Sequence, residues 1–138
     1  MLLCKKAKKV ISVEQSRRRA EVLYNRHKKY DNLEVWASNF KDLELKEKVD
    51  YIVFIGVFEY TKMFYNCDNA FDKCLQDMKK YLKDDGKIII AIENRYGMKY
   101  VFGGLEDHYR ERYLGLKGYD NYDIQTFGKK EITDLLVR

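Results

Sequence analysis

Five short runs carry side chains whose types and spacing could do chemistry. Glu14-Gln15 follows an apolar stretch at residues 10–13, and Ser38-Asn39-Phe40 follows one at 33–37. Gly56-Val57-Phe58-Glu59-Tyr60 follows residues 51–55, and Glu93-Asn94-Arg95-Tyr96-Gly97 follows residues 88–92. Glu106-Asp107-His108 comes later, inside a long polar and aromatic segment. A carboxylate at Glu14 can accept two hydroxyls of a ribose. The Asn39 amide can pair with the edge of a purine, and Phe40 can cover its face. In Glu106-Asp107-His108, carboxylates stand beside an imidazole, a combination suited to removing a proton. Each run also has a plainer reading. A carboxylate after a strand commonly answers a helix dipole, and a histidine in a polar loop is commonly a surface group.

These side chains need a scaffold that brings them to one rim. Residues 51–55 and 88–92 are continuous apolar runs, as expected of parallel strands covered on both faces, while 33–37 alternates as an edge strand does. Ser16 can cap a helix reaching to about Tyr30, with Ala20, Leu23 and His27 on one stripe. Asp68 or Asn69 can cap a second helix, in which Phe71, Cys74, Leu75, Met78, Tyr81 and Leu82 recur at helical spacing. Asp84-Asp85-Gly86 is expected to stop it and turn into a strand at Lys87. A last helix should start near Gly128, with Glu131 at the capping-box position, and bury Ile132, Leu135 and Leu136. Strands alternating with helices imply an α/β domain with a partial doubly wound, mostly parallel sheet, whose ligands bind beyond the carboxyl ends of the strands. The segment from Asn94 to Phe127 is too long for a simple connection. Its tyrosines (Tyr100, Tyr109, Tyr113, Tyr119, Tyr122) could stack on sugar rings; amphipathic packing is the favoured reading.

Composition narrows the class. A chain of 138 residues, 46% apolar and 36% charged, fits one soluble domain spanning 1–138. No run is long and apolar enough to span a membrane or serve as a signal peptide, which points to the cytoplasm. Cys4, Cys67 and Cys74 form no C-x-x-C pair, so neither a disulfide framework nor a metal site is expected. The net charge is +5, and the first thirty residues carry ten Lys/Arg against Glu14 and Glu21. Aromatics do not interleave with these charges, which makes nucleic acid an unlikely partner and a solvated helix face the simpler reading.

Several motifs carry a resemblance. Val10-Ile11-Ser12-Val13-Glu14, Ala37-Ser38-Asn39-Phe40, the run from Asp50 to Tyr60 and the run from Leu82 to Asn94 resemble successive motifs of the class I S-adenosylmethionine-dependent methyltransferases. The run from Glu93 to Tyr100, Gly103-Gly104-Leu105-Glu106-Asp107-His108 and the run from Thr126 to Glu131 look more specifically like the bacterial branch associated with lipopolysaccharide and capsule biosynthesis. The resemblance implies roles residue by residue. Glu14 would hold the ribose, with Gln15, Asn39 and Phe40 around the adenine and Ile55, Gly56 and Val57 passing the methionine moiety of S-adenosylmethionine. Glu59 and Tyr60 would lie near the transfer face, with Glu59 and His108 the catalytic candidates. Tyr60, Asn94, Arg95, Glu106 and Asp107 would line the side of a glycan or sugar-linked acceptor.

The chain departs from that pattern. It has no counterpart of the family's first strand and G-x-G-x-G loop, or of its last two strands, so it reads as a domain truncated at both ends that binds its cofactor weakly or not at all. In the family's strand order the first strand lies between the strands at Val10 and Tyr51. Its absence leaves two apolar edges, which invite a homo-oligomer or a missing partner segment. A non-catalytic assembly module is therefore the alternative to an enzyme. An NAD-binding Rossmann protein would also accommodate Glu14, but the runs around Asn94 and His108 argue against it. The Asn/Asp-Pro-Pro-aromatic motif of methyltransferases acting on nucleic-acid amines is absent, since the chain has no proline.

Overall fold

A computed structural model describes residues 2–137. The chain forms two compact units that divide between Leu45 and Lys46. Among the described residues, no helix is long and apolar enough to cross a membrane.

The first unit is a β-α-β element. Strand β1 (Val10–Glu14) pairs in parallel with β2 (Leu33–Ala37), in a register that sets Val10 opposite Leu33 and Glu14 opposite Ala37. Helix α1 (Arg17–His27) connects them and packs on both. Ser16 is its N-cap, as the sequence implies, but the helix ends at His27 rather than Tyr30. Alternation in β2 is resolved by local pairing: Glu34 accepts from the Trp36 indole at 3.1 Å and pairs with Lys9 at 2.7 Å. Asn32 donates from Nδ2 to the carbonyls of Cys4 and Ala7, tying the preceding turn to the start of β2.

The second unit pairs β3 (Val49–Ile55) in parallel with β4 (Leu82–Ala91). Helices α2 (Thr61–Tyr65) and α3 (Ala70–Lys79) lie between them in sequence; α4 (Met98–Val101), α5 (Leu114–Lys117) and α6 (Lys129–Leu136) follow. Asp84-Asp85-Gly86 does not end a helix. Helix α3 has already stopped at Lys79, and the three residues form an irregularity inside β4, between the pairings Val49–Leu82 and Tyr51–Lys87. Glycine is required there because a Cβ on Gly86 would stand 2.9 Å from the Lys83 carbonyl oxygen. Tyr81 and Leu82, read as helical, thus lie beyond α3, and Leu82 opens the strand.

The core of this unit is aromatic. Phe58 is fully buried, its ring centroid 5.9 Å from Phe54, 5.2 Å from Phe71 and 6.2 Å from Phe127. Phe71 and Phe127 meet edge to face at 4.8 Å. Strand β3, the turn after it, α3 and the approach to α6 therefore share one cluster. The opposite face of the pair is open. Tyr51, Val53, Ile55 and Ile89 lie on it and are exposed, Ile55 at 67%. The apolar runs imply cover on both faces, but the aromatic cluster covers only the Phe54 side. In α6, Ile132 and Leu135 are half-buried, whereas Leu136 is exposed rather than buried, because the helix turns that position to solvent.

Replacing Phe58 with Ala should destabilise the fold by about 3–5 kcal/mol, through lost burial and the cavity left behind. Urea unfolding measures this. Cys74 is buried and its thiol is pushed up to about 11 by desolvation, whereas Cys67 is exposed. Iodoacetamide at pH 8 should therefore modify Cys67 in the native protein and reach Cys74 only on unfolding, faster in Phe58→Ala.

Candidate functional site

Parallel pairing decides which ends of the strands share a rim. In the first unit the carboxyl ends of β1 and β2 adjoin, so Glu14 and Ser38-Asn39 stand at one end. Glu14 Oε1 accepts from the Ser16 backbone N–H at 2.9 Å and from Arg19 Nε and Nη2 at 3.0 and 2.8 Å. The carboxylate thus answers the N-terminus of α1, and its contacts fall on one oxygen. Asn39 Oδ1 accepts from the Lys41 N–H at 3.1 Å and caps the short turn Phe40–Asp42, which leaves its Nδ2 pointing elsewhere. Gln15 is exposed and Phe40 half-buried.

In the second unit β3 and β4 run parallel with Ile55 opposite Ala91, so Gly56 and Glu93-Asn94 share an end. Ile55 and Val57 are exposed there. Gly56 takes φ +61°, a left-handed backbone that glycine adopts without strain. The chain then turns through Phe58–Tyr60. That turn is held by Thr61 Oγ1 donating to the Phe58 carbonyl at 2.6 Å and by the Gln125 N–H donating to the Glu59 carbonyl at 3.0 Å. The Glu59 carboxyl is 4% exposed, and its Oε2 has no hydrogen-bond partner among the described residues. Burial pushes this carboxyl above its ordinary range. Its own backbone N–H and His108 oppose the rise, and Glu93 adds to it.

The loop from Glu106 to Glu111 is built around one carboxylate. Its backbone closes through Glu106 N–H to the Glu111 carbonyl and Arg110 N–H to the Glu106 carbonyl, both at 2.9 Å, with Arg110 at φ +58°. The Glu106 side chain, 2% exposed, folds into the loop. Its Oε2 accepts the backbone N–H groups of His108 and Tyr109, each at 2.7 Å, and its Oε1 lies 2.8 Å from His108 Nδ1. Because carboxylate oxygens accept, this bond puts the imidazole proton on Nδ1 and leaves the Nε2 lone pair to take another. The edge of the His108 ring meets Tyr60 with centroids 5.4 Å apart. Glu59, Tyr60, Glu106 and His108 therefore form one group, although they come from two runs far apart in sequence.

Other predicted residues serve the frame. Arg95 is buried between the rings of Tyr96 and Tyr119, donating from Nε to the Gly115 carbonyl at 2.6 Å and pairing with Glu131 at 2.9 Å. Asn94 Oδ1 accepts from the Tyr96 N–H at 3.1 Å, and Asn94 bridges in parallel to Phe127. Glu131 also accepts the Gly128 N–H at 2.6 Å, supplying the reach-back half of a capping box. Most tyrosines of the long segment pack and are satisfied, whereas Tyr113 is 42% exposed. Tyr109 accepts from the Ile124 N–H, Tyr122 donates to Glu111, and Tyr119 bonds Thr126.

Asp107 belongs to a neighbouring knot. It pairs with Lys99 and accepts from the Tyr100 hydroxyl at 2.7 Å, while Glu93 lies 3.0 Å from the same hydroxyl. Glu93 stands in a strand-end run and Tyr100 among the tyrosines that could stack on a sugar, but nothing in the sequence joins them, or Lys99, to Asp107. Their nearness to Asp107 comes from the path of α4 and has no signature in spacing. Lys99, then Tyr100, holds the Asp107 carboxyl down at about 2. A depressed carboxylate adds stability above the ordinary carboxyl range, about 4, and that contribution is lost as pH falls through the folded value. A carboxyl-carbon NMR titration should therefore give Asp107 a midpoint near 2, rising toward 4 in Lys99→Met. An unchanged midpoint in that variant would remove Lys99 as the cause.

Comparisons with known proteins agree with this architecture. None of the curated proteins compared with the chain matches it. Among solved structures, the crystal structure of coclaurine N-methyltransferase bound to N-methylheliamine and SAH is 18% identical with a TM-score of 0.59, covering 92% of this chain and 36% of that one. The complex of DhpI with SAM and HEP is 12% identical with a TM-score of 0.63, covering 99% of this chain and 61% of that one. The chain thus spans less than two thirds of either protein, and at these identities the likeness concerns the fold: an α/β Rossmann-like methyltransferase fold with small parallel sheets. The family model described as methyltransferase domain matches residues 3–111, so the chain belongs to that family.

Proposed function

We propose that the chain is part of an S-adenosylmethionine-dependent methyltransferase of the lipopolysaccharide and capsule branch, acting on a glycan or sugar-linked acceptor. The observation that carries the reading is the Glu106–His108 pair, with Nδ1 bonded at 2.8 Å and Nε2 left as acceptor, beside the carboxyl ends of β3 and β4. S-adenosylmethionine would supply a methyl group on a sulfonium, open to direct displacement. The residues present fit it in part. In the first unit Glu14 keeps Oε2 for a ribose hydroxyl and Asn39 keeps Nδ2 for an adenine nitrogen. The 138 residues contain no G-x-G-x-G loop, so the affinity of this stretch by itself is expected to be weak.

The chemistry asked of the protein is alignment and proton removal. With the cofactor bound, the chain's residues would hold the acceptor in line with that methyl group, and His108 Nε2 would take the acceptor's proton. Glu106 positions the ring and its tautomer. Both of its oxygens are engaged, which argues against acceptor contact by Glu106 itself. Asn94 and Tyr60 remain the residues proposed for the acceptor side; Asp107, like Glu106, has both oxygens engaged, by Lys99 and Tyr100.

SAH at millimolar concentration should shift amide NMR signals at Glu14 and Asn39, with a Kd weaker than about 100 µM, and Glu14→Ala should abolish the shifts. No shift at either residue would overturn the cofactor reading. In a longer form of the protein that turns over, His108→Ala should lower kcat by about 10²–10⁴ with SAH affinity unchanged. Retained turnover would remove His108 from the reaction.

The exposed face of Tyr51, Val53, Ile55 and Ile89 supports a second reading, an assembly module that pairs with a further copy or another chain. Sedimentation should then give a dimer or larger species whose size falls in Ile55→Lys. A monomer across the micromolar range would exclude self-assembly.

A further inference from the structure

The Glu59 carboxyl has no role in the frame. The residue is 4% exposed, its Oε2 has no hydrogen bond and its side chain no ion pair among the described residues, and His108 is the side chain that draws the carboxyl back toward its ordinary range. A carboxyl in that condition carries a desolvation penalty of a few kcal/mol unless something meets it. Arg95 is committed to Gly115 and Glu131, and Lys99 to Asp107. The group lies toward open space on one side. A Cβ on Gly56 would stand 3.8 Å from Glu59 Oε1, and Gly56 itself is exposed with no side chain to cover the way in. On the other side is His108, whose ring touches neighbouring Tyr60.

We propose that Glu59 is the docking point for a cationic nitrogen on the acceptor, so that the acceptor is an amine-bearing sugar rather than a neutral one. This rests on the methyltransferase reading only for the word acceptor; the cation site stands on Glu59 itself. An ammonium supplies what the buried carboxyl lacks, a charge and N–H donors together. A neutral hydroxyl supplies one donor and no charge. Docking at Glu59 also sets the nitrogen beside the imidazole that would take its proton.

The test uses the full chain and two sugars that differ at one substituent, methyl glucosaminide and methyl glucoside, titrated by NMR without cofactor. The glucosaminide should bind about tenfold more tightly, move the Glu59 carboxyl-carbon signal, and lose its advantage in Glu59→Gln. Equal binding of the two sugars by the wild-type chain overturns the proposal, and so does a glucosaminide that leaves the Glu59 signal in place. These readouts need only the native protein, so they hold even where Glu59→Gln does not fold. An advantage that survives in folded Glu59→Gln but vanishes in Glu93→Gln also overturns it. SAH titrated in parallel separates the two ideas: SAH binding without sugar discrimination defeats the cation site alone, and discrimination without SAH binding defeats the cofactor reading alone.

Discussion

The candidate site depends on a carboxylate turned inward. Glu106 stands inside its loop with two backbone N–H groups on one oxygen and an imidazole on the other. A buried carboxylate is tolerated when donors surround it, and here the donors come from the residues it organises. The loop takes its shape from the carboxylate, and the carboxylate is held by the loop. Arg110 in the left-handed region closes the turn, at a modest conformational cost that the closed hydrogen bonds offset. The orientation of His108 is a consequence of that arrangement.

The aromatic cluster does for the neighbouring turn what Glu106 does for the loop. Phe58 sits between Phe54, Phe71 and Phe127, and that anchors a turn whose next residue is Glu59. A charged group beside a fully buried phenylalanine is drawn into low dielectric by its neighbour's packing. Burial then raises the Glu59 carboxyl. Apolar packing and acid–base character are thus one problem at this turn. Arg95 plays the corresponding part at the end of β4, joining α5 and α6 to the strand end through its guanidinium, with tyrosine rings on either side.

Much of this was legible in the residues. The four strands fall where apolar runs lie, and α1 and α3 begin at the expected caps, because period and capping are local properties. The misreadings share a cause. Asp84-Asp85-Gly86 has the composition of a helix stop, yet strand pairing with Val49 pulls Leu82 into β4 and makes those residues an irregularity within it. Leu136 fits an apolar stripe, but the stripe has no neighbour at that position. The apolar runs of β3 and β4 imply two covered faces, and the chain covers one.

For the site, residue type and order singled out Glu59, Glu106 and His108 as candidates, and the structure brings Tyr60, Glu106 and His108 into contact beside Glu59. The sequence by itself determined the family, the order of strands and helices, and the parallel ends at which polar residues collect, all of which follow from short-range pattern. Only tertiary structure decided which of those residues are engaged in holding the fold and which retain capacity for a ligand. Arg95 and Glu106 have their hydrogen bonds filled by the frame, whereas Glu59 keeps an unmet oxygen. That difference depends on donors that arrive from distant parts of the chain, and no local spacing encodes it.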